Sequence, residues 1–154
     1  MHARYIRRAI ELAERNIDMG GGPFGAVIVK DGQVIAEASN QVTVDNDPTA
    51  HAEIVAIREA GRKLNNFDLS GCVIYTSCEP CPMCLGAIYW ARIAEIWYAS
   101  GREDAEAAGF DDSLIYEELG KAIGERTLKM ERLKEPSADA LFRKWIDKTD
   151  KEPY

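Results

Sequence analysis

An α/β fold, one sheet with helices packed on its faces, is predicted by three observations on these 154 residues. Short β-branched runs alternate along the chain with segments whose apolar residues recur at helical spacing. Two of those runs flank an Asp-Gly pair, the signal of a tight hairpin. The apolar fraction, 46%, and the charged fraction, 29%, are those of a globular chain able to bury one sizeable core.

The elements follow in order. Residues 3–18 set Ile6, Ala9, Ile10, Ala13 and Ile17 on one helical face, and Gly20, Gly21, Gly22 and Pro23 stop that helix. Residues 26–30 (AVIVK) and 34–39 (VIAEAS) pair around Asp31-Gly32. TAHAE at 49–53 opens a second helix that runs to residue 64. CVIYTS (72–77) is a buried strand by its β-branched content, 82–92 a helix, and EIWYAS (95–100) another strand. Residues 109–119 read as loop and short helix, and TLKMERL (127–133) alternates with period two as a fifth strand. Residues 138–147 place Ala138, Leu141, Phe142, Trp145 and Ile146 on one helical face. There is no repeat and no low-complexity linker, so a single domain spanning 1–154 is expected.

Several function classes fall away. The opening MHARYIRRAIELAERNID mixes charge with apolar residues and has no uninterrupted apolar stretch, so no secretory signal is expected. No apolar run approaches the ~18 residues of a membrane span. The expected home is therefore the reducing cytoplasm, where clustered cysteines bind metal or do redox work more often than they pair. The formal net charge is −7, from 26 acidic and 19 basic residues. A negative field repels a phosphate backbone, and the basic residues are scattered beside Asp or Glu. Nucleic acid is not an expected partner.

The chemistry concentrates in CEPCPMC, residues 78–84. Cys81 and Cys84, at i and i+3 on a helix start, share a face and can grip one ion. The helix N-terminus favours thiolate over thiol, and Pro82 fits a first turn where its missing N–H costs nothing. A nitrogen ligand must come from one of two histidines. His2 lies at a terminus expected to fray, which leaves His51. Two sites compete: a closed structural zinc with Cys78 as fourth ligand, and an open zinc held by His51, Cys81 and Cys84 with water in the fourth position. Glu53 favours the open site, since a carboxylate two residues from a zinc-binding His can reach that water without ligating the metal. His-x-Glu followed by Pro-Cys-x-x-Cys is the signature of zinc nucleobase deaminases. Cys78 then reads as a neighbour of the site and Cys72 as a core strand residue.

With TAHAE (49–53) and EPCPMCLGAIYWARI (79–93) the chain resembles the cytidine deaminase superfamily, in its nucleobase and transfer-RNA adenosine branch. GGPFGAVIVKDG (21–32), the Asn40 loop, DPTAHAE (47–53), GFDDS (109–113) and the terminal tyrosine more closely resemble its bacterial guanine deaminases. The resemblance covers nearly the whole chain. It implies a three-layer α/β/α fold with a central mixed sheet of about five strands, Zn2+ as cofactor, and hydrolysis of guanine to xanthine and ammonia. In that reaction zinc lowers the pKa of its water, hydroxide attacks the amino-bearing ring carbon, and Glu53 shuttles the protons.

The resemblance also implies Phe24, Asn40, Ala52, Asp112 and Tyr154 as contacts to the base. Phe24 can equally be a core aromatic, Asn40 a turn residue, Tyr154 a frayed end, and Asp111 can stand in for Asp112. Tyr89, Trp90 and Trp97 are expected in sheet and interface packing. A homodimer is further implied, with residues 137–154, a helix and tail, exchanged between subunits. The alternatives are a transfer-RNA adenosine deaminase, which needs a basic docking surface, and a deaminase of another aminopurine, cytosine or a triazine. Outside the enzymes stands a zinc-binding scaffold that has kept the fold.

Overall fold

The computed structural model describes residues 1–154. Its elements are α1 (His2–Asp18), β1 (Gly25–Lys30), β2 (Gln33–Ser39), α2 (Val42–Asp45), α3 (Ala52–Leu64) and β3 (Cys72–Cys78). They continue with α4 (Pro82–Trp90), β4 (Glu95–Ser100), α5 (Arg102–Ala107), α6 (Ser113–Gly120), a 3₁₀ turn (Ile123–Glu125) and α7 (Pro136–Asp147). These group into two compact units, Met1–Ser113 and Leu114–Tyr154.

The first unit is built on a 4-stranded sheet in the order β2-β1-β3-β4. β1 runs antiparallel to β2 and β3, and β3 parallel to β4, so the sheet is mixed. Asp31 and Gly32 have φ of 50° and 76°, the left-handed pair that a two-residue hairpin turn demands. Period-two alternation sends Ala26 and Ile28 of β1, with Cys72 and Ile74 of β3, to one face. There they meet Ala52, Ala56 and Ala60 of α3 and Ile88 of α4. Val27, Val29 and Tyr75 face the opposite side, against Tyr5 and Ala9 of α1. The layers are thus α1, the sheet, and α3 with α4, the expected three-layer α/β/α arrangement. Burial on both faces explains the near-continuous apolar runs of β1 and β3. The α1 layer lies so close that a Cβ on Gly25 would sit 2.1 Å from the Ala9 carbonyl oxygen.

The sheet has four strands and not five. Residues 127–133 form no ladder, because alternation makes a strand only where one face has something to bury against. Leu128 is 73% and Leu133 88% exposed. His2 does not fray. Its Nδ1 lies 2.9 Å from the Tyr75 hydroxyl, and its ring stacks on Trp97 at 4.2 Å. Tyr89 and Trp90 of α4 are largely exposed in the single chain. No helix is long and apolar enough to cross a membrane. The second unit contains the rest of α6 and all of α7, and none of its residues is buried.

Candidate active site

Two helices begin at the site. α3 starts after His51 and α4 after Cys81, and both residues are N-caps with extended backbone, ψ of 154° and 169°. Both side chains therefore lie where a helix presents its positive end. Pro82 occupies the first turn of α4, as expected, and Cys84 follows on the same face. His51 Nδ1 is 3.6 Å from Cys81 Sγ and 3.5 Å from Cys84 Sγ. A tetrahedral zinc with ordinary Zn–N and Zn–S bonds separates its nitrogen and sulfur ligands by about 3.6 Å. The donor atoms of His51, Cys81 and Cys84 all lie within 4.8 Å of one another. One imidazole and two thiols at this spacing fit zinc.

The electrostatics agree. The Cys84 thiol, hydrogen-bonded to Cys81, brings Cys81 down to about 4, and His51 assists. Cys84, as partner to the Cys81 sulfur and buried, is pushed the other way. The hydrogen bond to Cys81 raises His51. A cation held by His51, Cys81 and Cys84 would take the place of the proton between the two sulfurs and favour both as thiolates. Glu53 is buried in the first turn of α3, and that burial raises its carboxyl. Cys78 stands apart from the donor cluster. Its Sγ donates to the Gly101 carbonyl at 3.6 Å, and burial raises its thiol to about 11.

Phe24 and Asn40 come together at the ends of β1 and β2. The Asn40 N–H donates to the Phe24 carbonyl at 3.0 Å, and Asn40 Oδ1 accepts from Val42 N–H at 3.2 Å. Asn40 Oδ1 thus closes the turn into α2, and its Nδ2 is not used in that contact. Gln41 N–H donates to the Ala50 carbonyl at 2.8 Å, which seats the residue after Asn40 against the residue before His51. Phe24 packs on the core of α3 and α4, with Phe110 edge-on at 4.9 Å. Ala52 is fully buried between His51 and Glu53.

The two aspartates of GFDDS differ. Asp111 accepts from Ser113 N–H at 2.8 Å and so closes the turn that leads into α6. Asp112 faces Arg102 Nε at 3.6 Å. Tyr154 is exposed and belongs to the second unit. Two residues were not predicted: Arg102, and Asn16 on α1, whose side chain donates to the carbonyls of Gly22 at 2.7 Å and Asn40 at 2.8 Å. The one sequence signal of Asn16 is a polar residue in line with buried Ala9 and Ala13.

Residues 1–100 match the family described as the cytidine and deoxycytidylate deaminase zinc-binding region. The chain is 51% identical over 154 residues to the guanine deaminase of Bacillus subtilis, covering 99% of each. The X-ray structure of guanine deaminase from Bacillus subtilis aligns with a TM-score of 0.98 at 50% identity, over 100% of this chain and 99% of that one. The tRNA-specific adenosine deaminase of Aquifex aeolicus is 43% identical over 96 residues, 62% of this chain and 64% of that protein.

Proposed function

The chain belongs to the cytidine and deoxycytidylate deaminase family, and on that premise we propose that it hydrolyses guanine to xanthine and ammonia. The observation that carries the reading is the His51, Cys81 and Cys84 donor set beside buried Glu53, in a chain alike over its whole length to a guanine deaminase. His51 Nδ1 and the two sulfurs would hold Zn2+, which when bound would supply an activated water at neutral pH. Glu53 takes the water's proton and passes it to the ring nitrogen beside the amino-bearing carbon. It then helps protonate the departing amine. The water oxygen becomes the new carbonyl, and the amino group leaves as ammonia.

The remaining residues choose the base. Phe24 stacks on the ring, Asn40 Nδ2 donates to its edge, and Ala52 borders it. Asp112 accepts from the amino and ring N–H groups of guanine, a donor pattern that adenine lacks there. The enzyme is read as one cytoplasmic deaminase domain, 1–154, working as a homodimer. In it residues 137–154 are exchanged and Tyr154 covers the partner's site. The support is the α7 face of Leu141, Phe142, Trp145 and Ile146, exposed in the single chain.

A transfer-RNA adenosine deaminase is the second reading, favoured by the 96-residue match. The net charge of −7 weighs against it, because RNA docking calls for a basic surface. The deciding assay compares ammonia release from free guanine with release from adenosine in a transfer-RNA stem-loop. Guanine alone supports the proposal, and adenosine alone transfers it to the rival. Neither, in zinc-loaded protein, leaves a scaffold.

A further inference from the structure

A buried amide is tolerated only when its bonds are made. Asn16 is 3% exposed, and it makes them with the loops that carry the proposed base contacts. Nδ2 donates to the Gly22 carbonyl at 2.7 Å and the Asn40 carbonyl at 2.8 Å, and Oδ1 accepts from Ser39 Oγ at 3.1 Å. The loops are tied to each other as well. Phe24 N–H donates to the Gly22 carbonyl at 2.9 Å, and Asn40 N–H to the Phe24 carbonyl at 3.0 Å. The Asn16 carbonyl accepts from Gly21 N–H at 2.8 Å, and a Cβ on Gly21 would lie 2.3 Å from Asn16 Nδ2. The glycine turn is shaped around this one side chain. Core filling alone would be met by alanine, as at Ala9 and Ala13 on the same face.

We propose that Asn16 is a positioning residue for base recognition. It fixes the Asn40 carbonyl and the turn leading into Phe24, so that the Asn40 amide and the Phe24 ring meet the purine in one register. The role deepens the guanine deaminase reading and rests on Asn40 being a base contact. Asn16 touches neither zinc ligand nor Glu53 in any bond, so its effect belongs on substrate binding and not on the chemical step.

The test is a double-mutant cycle on zinc-loaded enzyme with guanine as substrate, using Asn16→Ala, Asn40→Ala and the pair. Asn16→Ala is expected to raise KM about tenfold or more while kcat stays within about threefold, with zinc retained. The double variant should raise KM by clearly less than the product of the two single-variant factors, the part of the Asn16 effect that acts through Asn40 being lost already. Factors in KM that simply multiply, or an unchanged KM in Asn16→Ala when Asn40→Ala raises it, would overturn the positioning role alone. An unchanged KM in Asn40→Ala would instead remove the base-contact reading, and the positioning role with it. Asn16→Asp keeps the shape and the acceptor for Ser39 but loses both donors, and should reproduce the rise in KM. If neither variant folds with zinc bound, Asn16 is a residue of the fold and the proposal is wrong.

Discussion

The two units treat their apolar residues in opposite ways. In Met1–Ser113 the sheet encloses Ala26, Val27, Ile28 and Ile74 completely between helices. In Leu114–Tyr154 nothing is buried, although α7 carries its apolar residues on one face as the packed helices α1 and α3 do. Its Leu141, Phe142, Trp145 and Ile146 are between 42% and 69% exposed. Burying one such side chain is worth about 1.5–3 kcal/mol, so the face represents stabilisation that the single chain leaves unused. The first unit carries its own core and the whole donor set. The second carries an exposed apolar face, which the proposed subunit exchange would cover.

If chemistry resides wholly in the first unit, the largest effects must come from its helix starts. Cys81→Ser should strip zinc and abolish deamination, whereas Cys78→Ser should keep close to one zinc per chain by metal analysis. The free thiol of Cys78, turned to the Gly101 carbonyl, is the reason. Zinc lost from the Cys78 variant would point to a closed four-residue site instead. Next in size is Glu53→Gln. It should retain fold and zinc yet lower kcat by about 10²–10⁴-fold, since one group serves several proton transfers. Near-normal turnover in zinc-loaded Glu53→Gln protein would defeat the mechanism.

The same contrast explains what could be read from sequence. The hairpin at Asp31-Gly32, the runs of β1 and β3, and the helix starts at His51 and Cys81 are local patterns, each sufficient by itself. The strand expected at 127–133 is not, because a period of two specifies a strand only with a partner, and there the chain offers none. α2 and α5 are too short to show a period. Asn16 escaped because its three partners come from other elements. Asp111 and Asp112 are chemically identical neighbours, separable only once Ser113 is seen to claim the first and Arg102 to face the second.

The second unit should matter less than the zinc ligands but visibly. Deleting residues 150–154, or Tyr154→Ala alone, is expected to lower guanine turnover or weaken binding by about tenfold, the scale of one lost contact, with zinc retained. Mixing Glu53→Gln subunits with tail-deleted subunits sharpens the point. In an exchanged heterodimer one of the two sites combines an intact Glu53 with an intact tail, so activity should rise above that of either parent. No such rise is expected if each tail serves its own chain.

The smallest effect should come from an ion pair inside the first unit, whose stability lies in its buried layers. Arg8 on α1 grips Glu37 on β2 through Nε–Oε1 at 2.8 Å and Nη2–Oε2 at 2.7 Å. The hydrogen bond from Arg8 holds the Glu37 carboxyl below its ordinary range, despite opposing desolvation. A depressed carboxylate stabilises the fold fully above its unfolded pKa of about 4.3, and the contribution fades as pH falls through the lower folded value. The raised guanidinium of Arg8 adds nothing in this window, being charged throughout. Both side chains are about a third exposed, 31% and 32%, so water screens the pair. It is worth about 0.5–1 kcal/mol. Glu37→Gln should therefore lower the unfolding free energy by that amount at pH 7, measured by urea denaturation. The gap should close as pH falls below the unfolded pKa of about 4.3 and on through the lower folded value. A gap that stays constant into acid would mean that Glu37 holds α1 by packing and not by charge, and that the edge of the sheet is secured like its centre.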